Sequence, residues 1–115
     1  MTNEQYTNMV DMLIFATVKE KIKWIEQNGD FFVDINRCQI SLSSSYDISI
    51  DSSTYSLSLI NIDGIVFETY TFDENSDKEK FDKLNELYGI IKDKTYKISE
   101  SENLIINGLE ELLAN

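Results

Sequence analysis

Few residues of this chain have types and spacings that could do chemistry, and each can be weighed in turn. Asp73, Asn75 and Asp77 alternate in Asp73-Glu74-Asn75-Ser76-Asp77, as in the first half of an EF-hand loop. Such a loop needs glycine at its sixth position and a bidentate glutamate at its twelfth, where Lys78 and Leu84 stand. The segment is therefore expected to cap the next helix, and no metal is expected. Cys38 is the single cysteine, so there is no internal disulfide and no pair for zinc. The chain has no histidine to serve as its base. Cys38 reads as a small buried hydrophobe. Glu68 falls on the apolar side of an alternating segment, where a carboxylate is either a functional acid or lies near an edge and reaches water or a lysine. No second catalytic group can be assigned beside it. Phosphate-binding glycine loops, dinucleotide fingerprints and Ser-His-Asp sets are absent, so neither an enzyme nor a cofactor is expected.

Charge is the more informative property. The net charge is −11. No Lys or Arg occurs from Cys38 to Asp77, a span that holds Asp47, Asp51, Asp63, Glu68, Asp73, Glu74 and Asp77. Residues 78–97 are nearly balanced. From Ile98 onward the charges are again all acidic: Glu100, Glu102, Glu110 and Glu111. Direct nucleic-acid binding and an anionic membrane surface are both disfavoured. A solvated surface and a footprint for a cationic groove are the two readings that remain.

The elements that must carry these groups can be read from periodicity. With 115 residues the chain suits one domain of residues 1–115 with a real core. The serine-rich stretch from residue 41 to 59 alternates. Tyr46, Ile48 and Ile50 interleave with polar residues, and so do Tyr55, Leu57 and Leu59. A turn at Ser52-Ser53 would set Ile50 opposite Tyr55, Ile48 opposite Leu57 and Tyr46 opposite Leu59. A loop at Ser43–Ser45 would set Leu42 opposite Tyr46. Asp63-Gly64 signals a type I′ hairpin that sets Leu59 opposite Glu68, Leu57 opposite Tyr70 and Tyr55 opposite Phe72. Phe31, Val33 and Ile35 join through a turn or bulge at Asn36-Arg37. The sequence thus predicts an antiparallel meander of four to five strands over about residues 31–72.

Helices are predicted on both sides. A Thr2/Gln5 capping box opens the first, with a stripe Val10, Ile14, Val18, Ile22 and Ile25, burial on more than one side, and a stop at Asn28-Gly29. Ser76 with Glu79 opens the second, with Phe81, Leu84, Tyr88 and Ile91 at helical spacing and Gly89 as a weak point. Ser99 with Glu102 opens the third, followed by Leu104, Ile105, Leu109 and Leu112. The class is α+β: helix, meander, two helices. Its sheet should pack an apolar face on helices and show Ser, Thr and Asp to water. Beside the Asp63-Gly64 turn, Ile60, Ile62, Ile65 and Phe67 point away from that core, for cover by a terminal helix or for contact with a second copy. The first residues lack a basic n-region and no apolar run is long enough to span a membrane, so a cytoplasmic setting is expected.

In length, acidity, helix–meander–helix order and Ile/Lys/Asn-rich composition, the chain resembles the small acidic inhibitors carried by phages and mobile elements, anti-CRISPR proteins among them. The likeness covers the whole chain and rests on no motif. It implies a non-enzymatic inhibitor that mimics the charge of DNA and blocks a basic nucleic-acid-processing protein such as a CRISPR effector nuclease. Asp47, Asp51, Asp63, Asp73, Glu74 and Asp77 are its expected partner-binding residues. Size and charge also fit an immunity protein or antitoxin that neutralises a basic toxin, or a homodimeric accessory protein.

Overall fold

The Thr2 hydroxyl accepts the Gln5 N–H at 3.1 Å while the Thr2 N–H donates to the Gln5 side chain at 2.8 Å, and this capping box starts helix α1, Asn3–Val18. The computed structural model describes residues 1–114 of the chain. Buried on α1 are Tyr6, Val10, Leu13 and Thr17. That set differs from the predicted stripe for a geometric reason. Steps of four residues drift about 40° per step around a 3.6-residue helix, whereas steps of four and three stay on one face. Ile14 and Ile22 consequently only flank the core, Val18 and Ile25 are exposed, and so are Met12 and Phe15, against the predicted many-sided burial.

The helix also stops about ten residues before Asn28-Gly29. Glu20 adopts a left-handed conformation at φ 58°, the Lys21 N–H reaches the Ala16 carbonyl at 2.9 Å, and the Glu20 N–H reaches Thr17 at 3.1 Å. This is a Schellman end built without glycine. It turns the chain so that Trp24 is buried, with its indole N–H donating to the Thr17 hydroxyl at 3.0 Å. Asn28 and Gly29, both at positive φ, then form a hairpin turn rather than a helix stop.

Five strands follow in the order in which they occur: β1 Ile25–Gln27, β2 Asp30–Ile35, β3 Cys38–Asp47, β4 Ser52–Ile60 and β5 Val66–Asp73, all antiparallel. Asn36 and Arg37, also both at positive φ, make the β2–β3 turn. On β5 the predicted register holds, with Leu59 opposite Glu68, Leu57 opposite Tyr70 and Tyr55 opposite Phe72. The hairpin turn itself is not type I′. It spans Asn61–Gly64 with only Gly64 at positive φ, and the ladder slips between Leu59 and Ile60 so that Phe67 is the extra residue of a bulge.

The β3–β4 register overturns the expectation. Residues 43–45 are strand, not loop, and Leu42 rather than Ile48 faces Leu57, with Ile40 facing Leu59. The turn is residues 48–51, which leaves Ile48 85% and Ile50 69% exposed. The two registers differ by six residues. Any even shift preserves the apolar face, so alternation fixed the parity of the pairing and not its register.

Helix α2, Lys78–Tyr96, starts from Asp77 rather than Ser76, the Asp77 carboxylate accepting the Lys80 N–H at 3.2 Å. It runs through Gly89 without ending and buries Phe81, Leu84, Leu87 and Ile91. Helix α3, Ile98–Ala114, begins one residue before Ser99. Ser99 bonds back to Asp93 through its N–H at 2.8 Å and its hydroxyl at 2.9 Å instead of capping. The core lies between the inner face of the sheet and the α1–α2 pair, where Phe31, Leu42, Leu57, Leu84 and Leu87 are almost wholly excluded from water. The outer face carries hydroxyl pairs, Ser56–Thr71 at 2.9 Å and Ser58–Thr69 at 3.0 Å.

Candidate protein-binding surface

Asp47 lies opposite Ser52, and Asp73 lies opposite Thr54, so the β3–β4 turn and the end of β5 share one end of the sheet. Asp47, Asp51, Asp73, Glu74 and the α2 cap Asp77 are gathered there. Asp63 is not with them. It sits in the β4–β5 turn at the other end of β4, roughly 30 Å away at the strand rise of about 3.3 Å per residue. Five of the six expected partner-binding carboxylates thus form an acidic sheet end.

Local backbone geometry holds these groups. Asp47 accepts the Ser49 hydroxyl at 2.6 Å and the Ser49 N–H at 3.0 Å, and these bonds hold its carboxyl below the usual range. Asp51, left-handed at φ 49°, accepts the Tyr46 hydroxyl, which raises the Tyr46 pKa. Asp73 accepts the N–H groups of Asn75 and Ser76, each at 2.8 Å, closing the turn into α2. The EF-hand-like segment is therefore a turn and a helix cap. Among the described residues no group of three or more His, Cys, Asp or Glu is arranged to hold a metal. Asp77 is also 3.7 Å from Lys80, whose ammonium lies over the Tyr6 and Phe72 rings. Asp47, Asp51 and Glu74 are left facing water.

Glu68 sits on the inner face as its register requires, and its carboxylate is 3.5 Å from the Met1 amino group rather than a lysine. Tyr70 beside it is pushed up to about 12, by burial first and by Glu68 second. Cys38 is half-buried and free. Of the apolar tip, Ile62, Ile65 and Phe67 are exposed together with Val66. Ile60 keeps the outward parity but is covered to 9% exposure, which corrects its place in an exposed patch.

Charge is separated by segment, with β1 and β2 in the neutral part and β3–β5 in the acidic one. Segments 1–37 and 78–97 together carry ten acids and ten bases, so the whole net charge of −11 rests on residues 38–77 and 98–115. Within the neutral part, Lys83 bonds Asp11 at 2.6 Å and Lys94 bonds Glu20 at 3.3 Å, tying α2 to α1 and to the loop after it.

Two features escaped the sequence reading. Trp24 and Ile91 floor a groove of about 290 Å³ between the end of α1 and the end of α2, with Lys23 and Lys94 on its rim. Its signal was the single tryptophan. The other is α3, none of whose residues is buried. Its apolar spacing was read, but periodicity cannot say what a stripe packs against. No helix among the described residues is long and apolar enough to cross a membrane. No protein-family model matches the chain, and neither a curated protein nor a solved structure does.

Proposed function

We propose that this protein is a non-enzymatic binding protein that occupies the cationic groove of a basic nucleic-acid-processing protein, an RNA-guided nuclease being one partner of that chemistry. The supporting observation is the segregation of charge. Residues 1–37 and 78–97, which hold α1, β1, β2 and α2, are together neutral, while β3–β5, their loops and α3 hold the entire excess of carboxylates. Carboxylates at the sheet end compete with phosphate oxygens for the partner's Lys and Arg, and the summed field steers encounter. Such binding weakens with salt, because the screening length falls from about 10 Å at 0.1 M to about 3 Å at 1 M.

The test is retention of a partner from nuclease-treated lysate of the source cells on the immobilised protein, identified by mass spectrometry. A basic protein, held at low salt and released by high salt, is expected. The double variant Asp51→Lys/Glu74→Lys should lose it, whereas Asp63→Lys, at the far end of the sheet, should keep it. Equal retention by all three proteins rejects the sheet end as the binding surface.

A further inference from the structure

Helix α3 combines an apolar stripe with no cover of its own. Ile98, Ile105, Ile106, Leu109, Leu112 and Leu113 fall within about 120° of one another around the helix, at the width of a core-facing stripe. Leu112 is 74% and Leu113 87% exposed. The helix is also a poor one by composition. Ser99, Ser101, Asn103, Asn107 and an internal Gly108 all disfavour it, and isolated helices of about 15 residues are marginal even with good formers. A helix of this composition is stabilised by packing its amphipathic face.

We propose that α3 is a dimerisation element that pairs antiparallel with α3 of a second copy of this chain. Positions 98, 102, 105, 109 and 112 follow the alternating four-and-three spacing of a coiled-coil seam, occupied by Ile, Glu, Ile, Leu and Leu. Glu102 decides the orientation. A parallel pair would set two Glu102 carboxylates in one layer. The antiparallel pair sets Ile105 against Leu109 in two central layers and Glu102 against Leu112 in two outer ones. The two glutamates are then about 15 Å apart along the axis, beyond the screening length of about 8 Å at physiological salt. The exposed side chains of the stripe offer roughly 600 Å² of apolar surface per copy, the lower end of what a specific interface buries on each partner. Other occupants fit less well. A membrane surface suits helices with a basic polar face, and α3 has no Lys or Arg. The middle of the sheet's outer face is a row of hydroxyls, and its apolar side chains lie apart from one another, at the β4–β5 turn and on the β1–β2 edge.

Sedimentation equilibrium tests this directly. The wild type should show twice the 13.3 kDa chain mass, with dissociation on the order of micromolar, typical of a small interface. Because both copies are acidic, the dimer should tighten as salt rises, opposite in sign to binding a basic partner. Ile105→Asp/Leu109→Asp should be monomeric with an unchanged far-ultraviolet signal from the sheet. For orientation, Cys38→Ala/Ile105→Cys and Cys38→Ala/Leu109→Cys proteins are mixed and oxidised. Mixed 105–109 disulfides are expected over 105–105. Four results would overturn the proposal: a wild-type monomer at all concentrations, a dimer that survives the double aspartate variant, dominant 105–105 linkage, or a monomer that floats with phosphatidylcholine vesicles.

Discussion

At the scale of single residues, one buried threonine hydroxyl joins two segments of the core. Thr17 donates its hydroxyl to the Leu13 carbonyl at 2.6 Å and accepts from the Trp24 indole at 3.0 Å, so one threonine ties the end of α1 to the loop that leads into the sheet. Thr17→Val keeps the shape and strands the indole N–H. It should cost about 1–3 kcal/mol in urea unfolding, while Thr17→Ser should cost less because the acceptor remains. The tyrosines set the alkaline limit. Burial holds Tyr6 well above its ordinary value, and Tyr70 is raised to about 12. A phenol whose folded pKa is raised contributes stability that is complete below the unfolded value near 10 and is lost as pH climbs toward 12. Stability in urea unfolding should therefore fall above pH 10, and Tyr6→Phe/Tyr70→Phe should flatten that fall. A fall of the same size in the Tyr6→Phe/Tyr70→Phe protein would contradict the burial of these hydroxyls.

At the scale of elements, turn conformation did what alternation could not. Two alignments of β3 on β4 have the same parity, and the observed one leaves Ile48 and Ile50 outside. The observed one gives a ten-residue strand and confines the bend to residues 48–51, with Asp51 in the left-handed region and Asp47 bonded to Ser49. Substitution separates the alignments. Leu42→Ala should cost about 2–5 kcal/mol, while Ile48→Ser should change stability by no more than about 0.5 kcal/mol. A loss at Ile48→Ser comparable to that at Leu42→Ala would restore the alternative register, in which both side chains face inward. The β1–β2 turn makes a matching prediction. Gly29 stands at φ 88°, and alanine there should cost about 1–2 kcal/mol in the same assay.

At the scale of the whole molecule, the shape is long for its mass. The radius of gyration is 16.9 Å, against about 13 Å expected for a compact chain of this length, and the longest extent is 59 Å. An α3 that buries no residue of its own accounts for much of that. Small-angle scattering of the monomeric Ile105→Asp/Leu109→Asp protein should give a radius near that of the single chain, and the wild type a larger one. The thermal midpoint of the wild type should rise with protein concentration, since dimerisation stabilises by mass action. An acidic sheet end at one place and a self-pairing helix at another would let a dimer present two acidic surfaces to basic partners.

What could be read from residues alone was local and periodic. The α+β class, the Thr2/Gln5 cap and the acidic character of residues 38–77 follow from spacing, parity and charge within short windows, whereas the Leu59–Glu68 register holds because the bulge at Phe67 offsets a turn longer than the one read from Asp63-Gly64. The early stop of α1 was not readable, because it depends on Trp24 finding Thr17 and on a left-handed Glu20, with no glycine to announce it. The β3–β4 alignment was decided by long-range pairing between choices of the same parity. The gathering of Asp47, Asp51, Asp73, Glu74 and Asp77 at one end, and the removal of Asp63 to the other, follow from strand direction in the assembled sheet. The bare face of α3 was invisible for the same reason: a stripe is a property of one helix, but its cover belongs to whatever surface the tertiary structure brings against it.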